Sequence, residues 1–294
     1  MIINSSRVNN KNPKEVAEVI LESIEKLSKN FDYFLIFLPQ SHVEVVEYLN
    51  SSGFEGFISV SILSNKDNFN IYIESLRKEN FVIAIDGPSA SGKSTVAREI
   101  SKILGIEYLD TGAMYRGFTL YLLENNIEFN EKEIEKIIDD IQIDVFEDKV
   151  ILNGKDVSKD IRGNLVTKNV SEVSKFQIVR NHLVDLQKKI AEGKSIVLDG
   201  RDIGTVVFPN ARYKFFVTAS VEERAKRRLN DSKSDLNKDY NSILEDLKRR
   251  DEIDINRKIS PLKRAEDAKL IDSTDMSLQE VIEEVITNIR GENV

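Results

Sequence analysis

Phe81-Val-Ile-Ala-Ile-Asp-Gly-Pro-Ser-Ala-Ser-Gly-Lys-Ser-Thr95 decides the fold of most of this chain. A short apolar run leads straight into G-x-x-x-x-G-K-S, with Gly87, Gly92, Lys93 and Ser94 in register. Strand, glycine-rich turn and helix in that order predict a cradle for a nucleoside triphosphate. The glycines let the backbone curl until several N–H groups face one phosphate. Pro88, Ser89, Ala90 and Ser91 complete the loop, and Thr95 follows it. Lys93 is expected to reach the β- and γ-phosphates, and the Ser94 hydroxyl to ligate Mg²⁺. A helix expected from Thr95 to Leu104 adds its positive N-terminal end.

Bulk properties set the frame around this loop. The chain has 294 residues, a length that suggests two domains. Charged residues make up 31% and hydrophobic ones 40%, as in ordinary globular proteins. A net charge of −8 and a pI near 5.2 argue against nucleic acid as a partner. Cysteine is absent, which excludes disulfides, thiolate nucleophiles and cysteine-based zinc sites. His42 and His182 are the two histidines, too few for a multi-histidine metal site. No apolar run reaches the roughly 18 residues of a membrane span. Met-Ile-Ile-Asn-Ser-Ser at the start does not read as a signal peptide, so the cytoplasm is the expected compartment.

Residues 1–78 precede the loop's domain and read as a small α/β unit. Expected are a strand at Met1–Asn4, a helix at Pro13–Leu27 and a strand at Tyr33–Leu38. A helix at Val43–Leu49 and strands at Phe57–Leu63 and Phe69–Ile73 follow, with a turn around Asn65–Asn68 between the last two. The order is β-α-β-α-β-β. Ser75–Asn80 reads as a linker. Residues 79–294 alternate strands and helices, the mark of a parallel sheet with helices on both faces. Strands are expected at Val82–Asp86, Glu107–Leu109, Ser195–Asp199, Tyr213–Thr218 and Lys269–Asp272. The core of this domain is 81–141 with 192–294, and residues 142–191 form an insertion. Within the insertion, Gln142–Val145 and Lys149–Leu152 alternate around Phe146-Glu-Asp as a hairpin, followed by a helical stretch, Ser171–Ala191.

Three further motifs carry chemistry. In Tyr108-Leu-Asp-Thr-Gly-Ala-Met-Tyr-Arg116, a hydroxyl and then a guanidinium one turn later suit a second phosphate. Two phosphate sites in this order suggest a kinase acting on a nucleoside monophosphate. In Ile196-Val-Leu-Asp-Gly-Arg-Asp-Ile-Gly-Thr-Val-Val-Phe-Pro209, Asp199 ends a strand where a carboxylate helps hold Mg²⁺. Arg201 and Asp202 come next, at the carboxyl edge where ligands bind. Arg224, Arg227 and Arg228, with Arg249, Arg250 and Arg257, flank a polar stretch, Asn230–Asn241, and suggest a lid over about 224–260. A solvated helix face of mixed charge, with Glu222, Glu223, Asp246, Asp251 and Glu252 interspersed, is the other reading.

Taken together, residues 81–290 resemble the bacterial cytidylate kinase family. The resemblance rests on Ile85–Thr95, Leu109–Arg116, Asp199–Pro209, and Arg250-Asp-Glu-Ile-Asp-Ile-Asn-Arg257 followed by Pro261-Leu262. It implies transfer of the γ-phosphoryl group of ATP, with Mg²⁺, to CMP or dCMP. Thr111, Arg116, Arg201 and Arg257 would hold the acceptor phosphate. Ser171, Arg180 and Asp202 would surround the base, and Arg250 and Asp254 would meet the sugar and its phosphate. Lys93, Arg224, Arg227, Arg228 and Arg250 would serve catalysis, and Ser94 and Asp199 the metal. A carboxylate at 202 suits the exocyclic amine of cytosine and opposes the carbonyl of uracil. Ile253 and Ile255 interrupt a stretch where the family often carries more arginine, and Ser94 replaces a glycine found in some relatives. Arg162 also matches a family position.

Two alternatives stay open on the residues alone. One is a kinase of the same fold acting on UMP, AMP or another metabolite; the other is a regulatory NTPase. The expected partners are small-molecule substrates, with no membrane, and the chain is expected to act as a monomer. The β-α-β-α-β-β order of residues 1–78 resembles the small sulfur-carrier family, with Asn12-Pro13 where that family has Cys-Pro. Without cysteine the likeness implies fold alone. A docking or stabilising module that contacts a protein partner is the alternative. His42, beside Ser41, reads as a helix-flanking residue.

Overall fold

The computed structural model describes residues 2–3, 12–27, 33–39, 45, 58–65, 68–76, 80–146, 149–230 and 239–290. They fall into two compact units, residues 1–80 with 102–106, and the remainder.

The first unit contains β1 (Ile2–Ile3), α1 (Pro13–Leu27), β2 (Tyr33–Pro39), β3 (Ile58–Asn65) and β4 (Asn68–Leu76). Its sheet runs β1-β2-β4-β3, with β1 parallel to β2 and the other pairs antiparallel. A reciprocal capping box starts α1. Glu15 N donates to Asn12 Oδ1 at 3.0 Å, and Asn12 N donates to Glu15 Oε2 at 3.1 Å. Pro13 occupies the first helical position, where its missing N–H costs nothing. Val16, Ala17 and Ile20 bury one face of the helix. The side chain at 12, where the sulfur-carrier likeness looks for a nucleophile, is thus a helix cap. β4 runs on to Leu76, paired with Tyr33, so Ser75 and Leu76 belong to a strand and not to a linker. The expected helix Val43–Leu49 apart from Val45, the tip of the 65–68 turn, His42 and residues 77–79 lie outside the described residues.

The second unit begins with β5 (Val82–Asp86), α2 (Lys93–Leu104), β6 (Glu107–Asp110), α3 (Thr111–Glu124) and the short α4 (Glu131–Glu135). A three-stranded antiparallel sheet follows: β7 (Ile143–Phe146), β8 (Lys149–Leu152) and β9 (Lys155–Asp156). Then come α5 (Asn164–Val173), α6 (Gln177–Ala191), β10 (Ile196–Gly200), a π-helical turn at Ile203–Val207, and β11 (Tyr213–Thr218). α7 (Val221–Asn230), α8 (Tyr240–Asn256), β12 (Lys269–Asp272) and α9 (Leu278–Arg290) complete it. Among the described residues no helix is long and apolar enough to cross a membrane.

The main sheet is parallel, in the order β12-β11-β5-β10-β6. Its central strands are buried on both faces, as such sheets require. Ile83, Ile85, Ile196, Val197 and Leu198 are each 0% exposed, each contributing roughly 1.5–3 kcal/mol of burial. β10 lies between β5 and β6, so the loops leaving β5 and β10 open side by side at the carboxyl edge. That is where such folds bind ligands.

Two expectations about the insertion change. The hairpin has a third strand, β9, too short to show an alternating pattern. The helical stretch expected over Ser171–Ala191 is divided between two helices, which meet at residues 174–176. Ser174 Oγ donates to Ser171 O at 2.9 Å and its N–H closes on Val170 O, ending α5. Serine bonds back to the preceding turn and competes with helix continuation. The corner exposes the Ser174 carbonyl, which accepts from Arg180 Nη1 at 3.2 Å.

At the root of the phosphate loop, Gly87 is required by contact. A Cβ there would lie 2.0 Å from the carbonyl oxygen of Val217 in β11. Because that obstacle is backbone, the sheet itself would have to move. Gly87→Ala is expected to lower unfolding stability by about 3 kcal/mol, the upper end of overpacking costs. Urea unfolding followed by circular dichroism measures this; a loss under about 1 kcal/mol would show that β11 yields freely.

Candidate active site

The loop from Gly87 to Gly92 is shaped by positive φ values at Ala90 (61°) and Gly92 (89°). α2 then starts at Lys93, so the lysine side chain leaves from the first turn. Lys93 Nζ lies 3.4 Å from Pro88 O and 3.9 Å from Asp199 Oδ2. Burial first, then the Arg201 cation, push its pKa down to about 8, against the pull of Asp199 and Asp110. Thr95 is on the exposed side of the same turn. Two arginines of α7 brace the loop backbone. Arg224 Nη1 donates to Ser89 O at 3.0 Å while Nη2 pairs with Asp251 Oδ2 at 2.7 Å. Arg227 Nη1 lies 3.4 Å from Ser91 O and donates to Ser273 Oγ at 2.9 Å. In this conformation both guanidinium groups are occupied by the loop's own carbonyls and by their neighbours.

Asp199 ties four elements together at the end of β10. Ser94 Oγ donates to its Oδ2 at 2.7 Å, and Tyr108 OH to its Oδ1 at 2.8 Å. Thr111 Oγ1 donates to its backbone carbonyl at 2.7 Å. Burial raises the Asp199 carboxyl, and Asp110 adds to the rise, while Lys93, Ser94 and Tyr108 oppose it. Burial also pushes the Tyr108 hydroxyl well above its ordinary range, so it remains a donor. Hydroxyl and carboxylate oxygens side by side suit a hard divalent cation. Among the described residues, no group of three or more carboxylate or imidazole ligands gathers.

Beside this hub lies a set of partly buried cations. Arg116 Nη1 donates to Thr167 Oγ1 at 3.0 Å and to Ile161 O at 3.2 Å. Burial, then the charge of Arg250, hold its pKa down at about 9, with Arg228 and Arg162 adding to the effect. Arg250 is held at about 10 by burial and Arg201, and its Nε has no partner among the described residues. Arg162 itself is exposed in a 3₁₀ turn. Arg201 spans the cluster: Nη2 donates to Ser89 Oγ at 2.7 Å and Nε to Asp254 Oδ2 at 2.9 Å. Like charges crowded and buried in this way favour an anion among them.

The next residue, Asp202, faces a different pocket. Its Oδ2 accepts from Arg180 Nη2, and its Oδ1 is 3.5 Å from Arg257 Nη2. All three side chains are almost fully buried. The Arg180 guanidinium lies 5.4 Å from the centre of the Tyr115 ring. Ser171 is buried in α5. Tyr115 OH, Arg180 Nε and Arg257 Nη2 are buried donors without a hydrogen-bond partner among the described residues, and each is a place where a ligand acceptor is favoured.

The structure thus brings together the phosphate loop, Lys93, Ser94, Thr111, Arg116, Asp199, Arg201, Arg250 and Asp254 in one region, with Ser171, Arg180, Asp202 and Arg257 adjoining. Residues 231–238 of the expected lid lie outside the described residues. Sequence reasoning missed Tyr108, Tyr115, Asp251 and Ser273. Tyr108 precedes the Thr111–Arg116 motif and Tyr115 lies within it, which was the available signal; Ser273 carried none.

Comparisons with known proteins show the family. The family model described as cytidylate kinase matches residues 83–291. A cytidylate kinase of Fusobacterium nucleatum is 52% identical over 206 residues, covering 69% of this chain and 94% of that protein. One of Caldanaerobacter subterraneus is 50% identical over 210 residues, covering 71% and 94%, and one of Acholeplasma laidlawii is 46% identical over 212, covering 72% and 96%. On the matched motifs and on these relatives, the chain belongs to the cytidylate kinase family.

Proposed function

We propose that this chain transfers the γ-phosphoryl group of ATP to CMP or dCMP, giving ADP and CDP or dCDP. The observation that carries this reading is the dipeptide Arg201-Asp202. Arg201 touches Ser89 of the donor loop, and Asp202 lies in the buried pocket with Arg180 and Arg257. A donor phosphate on the loop and an acceptor base in the pocket therefore meet through adjacent residues.

An oxygen of the acceptor phosphate attacks the γ-phosphorus in line, and the β-phosphate oxygen of ADP leaves. That oxygen is already largely deprotonated at neutral pH, so no general base is needed. Catalysis is then positioning and charge neutralisation. Lys93 balances the β- and γ-phosphates. Arg116, Arg201 and Arg257 hold the acceptor phosphate, with Thr111 beside it. Arg228 and Arg250 face the transferring group, while Arg224 and Arg227 keep the loop in shape through its carbonyls. Ser94 and Asp199 would hold Mg²⁺, which when bound neutralises phosphate charge and orients the triphosphate. Asp202 accepts from the cytosine amine, and Arg180 and Ser171 donate to the ring nitrogen and carbonyl.

A coupled assay for ADP across CMP, dCMP, UMP and AMP tests the reaction. Turnover is expected with CMP or dCMP, and Lys93→Ala is expected to lower kcat about 100-fold or more while changing the KM for CMP little. ADP release indifferent to CMP would instead support a regulatory NTPase.

Asp202→Ala is expected to reduce the preference for CMP over UMP by about 10–100-fold, the effect of one buried polar mismatch. The ratio of kcat/KM values measures it, and an unchanged ratio removes Asp202 from base recognition.

The relatives are matched over nearly their whole length by the segment beginning near residue 83. We assign the activity to residues 79–294, with residues 1–78 as an appended module. A chain lacking residues 1–78 is expected to keep kcat/KM for CMP within about threefold. Loss of activity with an intact fold would make the appended unit part of the enzyme's working machinery.

A further inference from the structure

Asp86 closes β5 and takes no part in the chemistry described above. Its carboxylate is buried, and both oxygens serve one short segment. Oδ1 accepts from Ile203 N and Oδ2 from Gly204 N, each at 2.8 Å. Those amides open the π-helical turn Ile203–Val207, which begins immediately after Asp202 and has no side-chain cap from its own flanking residue. Asp86, 117 positions away from Ile203, supplies the cap. The same turn also folds onto Asp202 from the other end, where Val206 N and Val207 N donate to the Asp202 carbonyl at 2.9 and 3.2 Å. π-helical turns are rare and mark functional sites more often than chance.

The Gly204 backbone lies directly against the carboxylate; a Cβ there would stand 3.4 Å from Asp86 Oδ2, an ordinary contact distance. On the other side Asp86 is joined to Gly87, pinned against the Val217 carbonyl. The carboxylate is therefore a strut between the root of the phosphate loop and the base of the Asp202 pocket.

We propose that Asp86 is a positioning residue for recognition of the acceptor base, fixing where the Asp202 carboxylate stands relative to the phosphate loop. This rests on the assignment of Asp202 to base reading. A carboxylate is suited to the task because it only accepts, and both facing groups are donors. Burial pushes its pKa up to about 7 while the two amide bonds pull it down, which shows how closely the group is enclosed.

Asp86→Asn keeps the shape but turns one acceptor into a donor facing an N–H. In the full-length protein the variant is expected to raise the KM for CMP about tenfold and to cut the CMP-over-UMP preference at least about fivefold. The KM for ATP should stay within about twofold. Asp86→Glu, which keeps the acceptor but displaces it by one methylene, should give a smaller split in the same direction, and it decides the matter where Asp86→Asn does not fold. Constants for CMP and ATP that move together, or an unchanged preference, overturn the proposal. Asp202→Ala separates the two layers. If it leaves the preference unchanged, base reading by Asp202 fails and the strut falls with it. If it relaxes the preference while Asp86→Asn and Asp86→Glu do not, the strut alone fails.

Discussion

The geometry of the site depends on one buried carboxylate, Asp199. An ion of this size taken from water without partners costs several kcal/mol, so it constrains whatever surrounds it. Here α2 supplies Ser94 and Lys93, β6 supplies Tyr108, and α3 supplies Thr111 to its backbone carbonyl. Even so, burial outweighs these partners, and the acid is raised above its ordinary range. The same partners fix the three elements that carry the donor loop and the acceptor motif.

The arginines show the mirror image of this balance. Arg116, Arg250 and Arg257 are all lowered first by burial and next by another arginine. Such a cluster is unfavourable by itself and becomes favourable around phosphates. Neighbouring arginines are held by acids, Arg201 by Asp254 and Arg224 by Asp251. Charges oriented before the substrate arrives need little reorganisation during the reaction, which is where enzymes gain most of their electrostatic stabilisation.

Much of this was legible in the sequence. Val82–Asp86, Tyr213–Thr218 and Lys269–Asp272 are strands at the residues expected, because each is a short apolar run between turn signals. The phosphate loop and the Thr111–Arg116 and Asp199–Asp202 motifs converge as their chemistry required. What stayed hidden depends on partners far away in the chain. The π-helical turn is capped from Asp86, and the break between α5 and α6 turns on a serine whose corner also serves Arg180. The arginine-rich stretch placed Arg224 and Arg227 on a helix. It did not tell that their partners are the Ser89 and Ser91 carbonyls. In the first unit, strand periodicity gave the elements, but the pairing of Tyr33 with Leu76 that extends β4 is a matter of register.

The stretch Asp199-Gly-Arg-Asp-Ile-Gly204 explains why a motif can be so informative. Its residues answer to different parts of the site. Asp199 meets Ser94 and Tyr108. Gly200 clears Thr111, whose Oγ1 would be 2.9 Å from a Cβ. Arg201 reaches the donor loop and α8, and Asp202 the buried arginines. Ile203 and Gly204 give their amides to Asp86. Six consecutive residues meeting five separate obligations leave little freedom to substitute any of them. A single turn of backbone thereby joins the Asp199 hub, the phosphate loop and the Asp202 ion pairs through hydrogen bonds.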